Sequence, residues 1–181
     1  MSNERTAEPS PHAGPIPDSY WAAAGALLAG PLPRADDRPA LRAKVKALLD
    51  AGIRTVIDLR TPAEEPGIRV LFEKLAPSDT AVVWINVPIL NGAAPNPAEL
   101  DTILDAIDAS VARDRPVYVH CQGGLGRTGT VVAAYWIRRR EYDLAGALDA
   151  LARRRVGQPN GDRPSPESPA QHRCLKLLAG S

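Results

Sequence analysis

Val119-His120-Cys121-Gln122-Gly123-Gly124-Leu125-Gly126-Arg127-Thr128-Gly129 decides how the rest of this chain is read. An apolar run, Pro116-Val117-Tyr118-Val119, leads into it and suits a strand. A helical stretch over residues 127 to about 140 leads out of it. The cysteine therefore closes a strand, and an arginine six positions on opens a helix. A thiol is a strong nucleophile only as thiolate, a form favoured by helix N-termini, backbone amides and nearby cations. The same amides and a forked guanidinium suit a bound phosphate. Gly123, Gly124 and Gly126 leave side chains out where amides must converge on an oxyanion. One short segment thus offers a nucleophile and an oxyanion cradle together.

Each residue also has a plainer reading. Cys121 can be a small buried hydrophobe, His120 a hydrogen-bonded core residue and Thr128 a simple cap. Arg127 can be a solvated helix residue, but a cation at a helix N-terminus opposes the macrodipole unless an anion is present. Phosphate explains that position and solvation does not.

Cys-x5-Arg-Thr, preceded by His and followed by Gly, resembles the phosphate-binding loop of the protein tyrosine phosphatase superfamily. Tyr20-Trp21, Leu27-Leu28-Ala29-Gly30-Pro31 and Gly52-Ile53-Arg54-Thr55-Val56-Ile57-Asp58-Leu59 are similar to segments of its small dual-specificity branch. The likeness runs from about Tyr20 to Leu178. It implies a metal-independent phosphomonoesterase that needs no cofactor and works through a phosphocysteine on Cys121. Arg127 and the loop from Gln122 through Gly123, Gly124 and Leu125 to Gly126 would hold the phosphate oxygens. His120 would maintain the surroundings that favour the thiolate without taking the proton. Thr128 would donate a hydrogen bond to the sulfur. Gln171 resembles the glutamine that aligns the hydrolytic water, although Ser168-Pro169-Ala170-Gln171 is also a capping box in its own right.

The general acid is where the chain departs from that pattern. Relatives carry an aspartate in an Asp-Gly-x-x-Pro context before the helix that precedes the cysteine strand. Here the words are Leu90-Asn91-Gly92-Ala93-Ala94-Pro95, and an amide cannot serve as a proton-donating acid. Asn91-Gly92 is also an ordinary turn dipeptide. Asp101, Asp105 and Asp108 read as a wetted helix face, and Glu99 as part of a cap. Glu64 and Glu65, after the strand at 55–59, are the remaining candidates for the acid.

Bulk properties narrow the function classes. With 181 residues and 44% hydrophobic content, the chain reads as one domain able to bury a core. Formal net charge is +1, from 22 basic and 21 acidic side chains, which gives no reason to expect nucleic acid or an anionic membrane as partner. Cys121 and Cys174 are the only cysteines, so no disulfide framework is expected and a reducing cytoplasm suits the thiol. Cys174 shares a helical face with Ala170, Leu177 and Leu178 and reads as core. Residues 1–17 are polar and proline-rich, unlike a signal peptide, and are expected to form a disordered tail before a catalytic domain over 18–181. Residues 21–30 are apolar but too few to span a bilayer. The chain is expected to be monomeric, and its alanine- and arginine-rich composition suggests a bacterial source.

Along the chain, an apolar stretch at 26–29 precedes a helix capped by Asp36 or Asp37, with Leu41, Val45, Leu48 and Leu49 on one face and Gly52 at its end. Strands are expected at 55–59, 81–87 and 116–120, and a short helix at 69–76. Asn96-Pro97-Ala98-Glu99 opens a helix with cap, proline and capping-box glutamate in place. Two further helices follow at 143–155 and 169–179. Alternation of strand and helix predicts an α/β domain of three layers, with a mostly parallel central sheet and helices on both faces. Phosphate would sit at the carboxyl ends of the strands.

Relatives acting on phosphoinositides or highly phosphorylated inositols tend to carry extra cations in this loop, whereas Gln122 to Gly126 holds no lysine, arginine or histidine, so the resemblance disfavours those substrates. A phosphorylated protein or a small phosphorylated metabolite fits better. Two rival classes are a non-catalytic phosphate-binding domain, suggested by Asn91, and another cysteine enzyme such as a sulfurtransferase or arsenate reductase. The Cys121–Arg127 pair opposes the first, and Gly126-Arg127-Thr128-Gly129 with a single cysteine opposes the second.

Overall fold

A computed structural model of the chain describes residues 11–64, 67–78 and 81–180. Its elements run β1 (Tyr20–Ala23), β2 (Leu27–Gly30), α1 (Arg38–Asp50), β3 (Thr55–Asp58), α2 (Ile68–Leu75), β4 (Val83–Asn86), α3 (Pro97–Val111), β5 (Val117–His120), α4 (Gly126–Arg138), α5 (Leu144–Arg155) and α6 (Pro169–Ala179). The sheet has the order β1-β2-β5-β3-β4. β1 is antiparallel to β2, and the other pairs are parallel. This is the α/β sheet expected from the alternation of elements.

Side-chain alternation along the strands sorts the core into two halves. Val117, Val119, Ile57, Leu27 and Ala29 face the layer that includes α3, α4, α5 and α6. Tyr118, Val56 and Leu28 face the opposite side, with Val45, Leu48 and Leu49 of α1 and Phe72 of α2. α4 is buried almost all round from Gly126 to Trp136, so the helix that leaves the glycine loop is anchored by the largest part of the core. Helix starts follow local chemistry. Asp37 accepts from the Ala40 amide, Asn96 and Glu99 form a reciprocal capping box, and Asp143 accepts from the Gly146 amide.

Register places Gly30, His120, Asp58 and Asn86 in one row at the carboxyl end of the parallel strands. The loops after β2, β3, β4 and β5 leave from that row.

The structure assigns one stretch the sequence left open and corrects one expectation. The apolar stretch before Gly30 is a β-hairpin, β1–β2, turning at Gly25 with φ of +65°. Its strands are too short for alternation to be read. The tail was expected to run unstructured to residue 17. Residues 1–10 lie outside the described residues, but the segment from His12 is bonded into the domain. Trp21 N donates to His12 O at 2.8 Å and Gly14 N to Ser19 O at 2.8 Å, while Ile16 is buried in the α1–α2 half of the core. A single isoleucine among prolines gave little periodic signal, and its pocket exists only once the sheet has formed.

Candidate active site

The glycine loop takes its shape from where its carbonyls go. Cys121 O lies 3.1 Å from His120 Nδ1, Gln122 O accepts from Leu32 N at 3.1 Å, and Leu125 O accepts from Ser165 Oγ at 2.7 Å and from Gly129 N at 3.0 Å. These partners lie in the surrounding protein. In a trans peptide the next N–H points opposite to the carbonyl, so the amides of Gln122, Gly123 and Gly126 turn toward the concave side. That is the arrangement an oxyanion needs.

The glycines of the loop serve different ends. Gly124 has φ of +71°, and a Cβ there would stand 2.6 Å from the Gly30 carbonyl carbon and the Pro31 nitrogen, so no other residue fits. A Cβ at Gly126 would meet Glu167 Oε2 at 2.7 Å and Gln171 Nε2 at 2.8 Å. Gly126 is therefore small because α6 and its leader pack against the start of α4. A Cβ at Gly123 would meet open space.

Cys121 and Arg127 are 3% and 2% exposed, so thiol and cation are both tucked beneath the surface. The guanidinium is held by a fork of bonds. Nη1 donates to Glu64 Oε2 at 2.8 Å and to Ile89 O at 2.9 Å, and Nη2 donates to Glu64 Oε1 at 2.7 Å. Burial alone would lower the pKa of Arg127, but the Glu64 carboxylate and the Cys121 sulfur outweigh it and the net direction is up. Glu64 in turn accepts from Thr61 N and Thr61 Oγ1 at 2.9 and 3.0 Å. Its carboxyl is held down to about 2, chiefly by the bonds from Arg127. The anion that a cation at a helix N-terminus demands is thus present in the protein itself.

This removes Glu64 as the general acid, because a carboxylate tied to Arg127 and ionised to about pH 2 carries no proton to give. It is a positioning residue for Arg127 instead. Chain order cannot show that the loop after β3 folds back over the head of α4, so the sequence reading found the residue but gave it the wrong task. Glu65 lies outside the described residues.

Asn91 is brought to the site as expected. The turn Leu90–Ala93 closes with an Ala93 N to Leu90 O bond at 3.0 Å, and Asn91 Oδ1 makes a long 3.4 Å contact with Arg127 Nη2. Asp105 and Asp108 are elsewhere, paired with Arg138 of α4, and Glu99 caps α3.

His120 is fully buried, with Nδ1 toward Cys121 O and 3.9 Å from Asp58 Oδ1. Burial lowers its pKa, although Asp58 partly opposes this, so the ring is neutral near pH 7. Asp58 is itself clamped by Arg60, through Nε at 3.0 Å and Nη2 at 2.9 Å. This pair, which sequence alone did not single out, stiffens the floor beneath His120.

Thr128 departs from expectation. Its Oγ1 is buried without a hydrogen-bond partner, so the bond to the Cys121 sulfur is not made in this state. Gln171 performs the cap read from its sequence, accepting from Ser168 N and Glu167 N, while Nε2 donates to Ala93 O at 3.0 Å. It therefore links the head of α6 to the Asn91 turn and lies against Gly126. Cys174 is half-buried on α6, with its sulfur 3.7 Å from Pro95 O and its thiol pKa raised by burial. Among the described residues no group of three or more His, Cys, Asp or Glu side chains is placed to hold a metal ion.

A protein-family model described as "Polymorphic toxin system, DSP-PTPase phosphatase" matches residues 34–141, more than half of the chain. Protein 067L of Invertebrate iridescent virus 3, named as a candidate tyrosine phosphatase, is 29% identical over 147 residues, covering 76% of this chain and 58% of the viral protein. The chain thus spans little more than half the length of that curated relative. Among solved structures, Tk-PTP in the active form superposes with a TM-score of 0.69 at 26% identity, covering 91% of this chain and 97% of that one. PTPMT1 in complex with PI(5)P superposes with a TM-score of 0.67 at 21% identity, covering 90% and 95%. The outward-bonded glycine loop, the buried Cys121–Arg127 pair and these likenesses agree: the chain belongs to the DSP-PTPase phosphatase family, in the small dual-specificity branch of the protein tyrosine phosphatase superfamily.

Proposed function

We propose that this chain hydrolyses phosphate monoesters through a phosphocysteine on Cys121. The observation that carries the reading is the buried Arg127 guanidinium, fixed by Glu64 at the head of α4 beside the Cys121 sulfur. The Cys121 thiolate attacks phosphorus, a P–S bond forms, and the P–O bond to the leaving group breaks. Arg127 and the amides of the Gln122–Gly126 loop hold the three non-bridging oxygens as charge builds on them. Water then attacks phosphorus, the P–S bond breaks, and inorganic phosphate leaves with the thiolate restored. Neutral His120 supports the loop through the Cys121 carbonyl and takes no proton. Gln171, held by Ser168, Glu167 and Ala93, is assigned the water through the one Nε2 hydrogen those bonds leave, and Thr128 is assigned the sulfur as the P–S bond opens.

Asn91 holds a position from which no proton can be donated, so leaving groups that depart as stable anions are favoured. The substrate is a phosphorylated protein or a small phosphorylated metabolite. A thiol enzyme of this kind works in a reducing compartment. Among the described residues no helix is long and apolar enough to cross a membrane.

Turnover of p-nitrophenyl phosphate by the purified chain, its loss in Cys121→Ser, and a phosphoryl group trapped on Cys121 by rapid acid quench test the reading together. Iodoacetate should alkylate Cys121 well ahead of Cys174, whose thiol is disfavoured by burial, and inorganic phosphate should protect it. Equal alkylation of the two cysteines, or activity surviving in Cys121→Ser, overturns the proposal.

A further inference from the structure

The segment leading into α6 carries a carboxylate that neither the helix cap nor the reaction above uses. Ser165 Oγ donates to Leu125 O at 2.7 Å, which ties this segment to the glycine loop, and Glu167 N donates to Gln171 Oε1 at 2.9 Å. The cap of α6 is made by the Ser168 and Gln171 side chains. It draws on the Glu167 amide and leaves the Glu167 side chain over. Glu167 Oε1 accepts from Arg163 Nη2 at 3.1 Å, in a pair whose side chains are 37% and 59% exposed. An ion pair so exposed holds its members weakly. Oε2 makes no hydrogen bond among the described residues.

That second oxygen stands at the phosphate cradle. A Cβ built on Gly126 would meet Glu167 Oε2 at 2.7 Å and Gln171 Nε2 at 2.8 Å. Both atoms thus converge on one spot, beside a residue whose amide turns to the concave side of the loop. Atoms so placed are close enough for a single water to bond to both. Nε2 keeps one hydrogen after its bond to Ala93 O. A water between them would accept from the amide, donate to the carboxylate and keep a lone pair for phosphorus. The other carboxylates at the site are committed, Glu64 to Arg127 and Asp58 to Arg60.

We infer that Glu167 is the general base that takes the proton of the water hydrolysing the phosphocysteine. The inference rests on the phosphatase reading above and supplies the proton acceptor of its second step, a task that the amide of Asn91 cannot perform. As the water oxygen bonds to phosphorus, one proton passes to Glu167 Oε2. The P–S bond breaks, and its electron pair returns to Cys121 as thiolate. Hydrogen phosphate leaves, and neutral Glu167 gives its proton to solvent before the next turnover. Chain order does not bring the residue ahead of a helix cap to the end of the glycine loop, so the sequence reading passed over Glu167.

Stopped-flow release of p-nitrophenol from p-nitrophenyl phosphate separates the two steps, because the burst reports formation of the phosphocysteine and the steady rate its hydrolysis. Glu167→Gln keeps the shape and loses the base. It should retain the burst rate constant and lower the steady rate on the order of a hundredfold, with phosphocysteine accumulating in acid-quenched samples. Arg163→Met removes the ion pair alone and should leave both phases as in wild type. In Glu167→Ala, added formate should speed the steady rate and not the burst. Hydrolysis as fast in Glu167→Gln as in wild type overturns the assignment, and so does a burst slowed by the same factor as the steady rate. A loss in Arg163→Met equal to that in Glu167→Gln, or no response to formate, overturns it as well. Those results leave the phosphatase reading standing. A wild-type protein that releases no p-nitrophenol overturns that reading and the role of Glu167 with it.

Discussion

Glu64→Gln isolates the feature on which the site most depends. The substitution keeps size and one acceptor but removes the charge that Arg127 faces at 2.7 and 2.8 Å. The carboxyl titrates at about 2 rather than the ordinary 4.5, a separation worth about 3 kcal/mol of folding free energy at neutral pH as an upper bound. The Glu64 side chain is 22% exposed, and a glutamine carbonyl can keep the Thr61 bonds, so we expect a loss of about 2 kcal/mol. The sign follows from linkage. A carboxylate with depressed folded pKa contributes its full stability above 4.5 and loses it as pH falls toward 2. The gap between wild type and variant should therefore be constant from pH 5 to 7 and narrow below about 4.5. Urea unfolding at a series of pH values measures it, since guanidinium would screen the pair. With its anchor gone, Arg127 should also cost the variant on the order of tenfold in kcat/KM for an aryl phosphate. A variant as stable as wild type at pH 7, or a gap that does not change with pH, would refute the assignment of Glu64 as the clamp on Arg127.

Three further outcomes follow from the geometry. Arg127→Lys keeps the charge but loses the fork, and should cost about 3 kcal/mol or more of transition-state stabilisation in kcat/KM, where near wild-type values would show that the loop does not hold phosphate as described. Activity should fall steeply as the leaving-group pKa rises across a series of aryl and alkyl phosphates, and Asn91→Asp should raise kcat for the poor leaving groups and introduce a falling basic limb in the pH–rate profile; a flat wild-type dependence would mean that an acid exists elsewhere. Gly124→Ala meets both a positive φ and backbone atoms of Gly30 and Pro31 at 2.6 Å, so it should lose about 1–3 kcal/mol of stability or displace the loop and abolish phosphate binding, while unchanged melting and phosphate affinity would contradict the packing.

The reach of the sequence is clearest where chemistry is local. Caps at Asn96 and Ser168, an aspartate at 36 or 37 ahead of α1, the glycine that ends α1 and the apolar stripe of α3 are decided within a few residues and are legible in the sequence, whereas the choice of Asp37 and the cap at Asp143 come from the structure. The alternation of strand and helix carried the α/β fold, because it follows from short-range periodicity, and the spacing from Cys121 to Arg127 carried the resemblance on which the phosphate-loop expectation rests. Partnerships between segments distant in sequence were not legible. Glu64 became the clamp on Arg127 rather than an acid because the loop after β3 folds over the head of α4, 63 positions away. A Cβ at Gly126 would meet Gln171 and Glu167, Ile16 is buried because the sheet leaves it a pocket, and the Thr128 hydroxyl is buried without the bond expected of it. Sequence fixes which groups are available and what each can do over one turn of helix or one strand. Which charge faces which, and whether a carboxyl keeps its proton, depends on solvent exclusion and on neighbours delivered by the packed sheet, and those exist only in the folded chain.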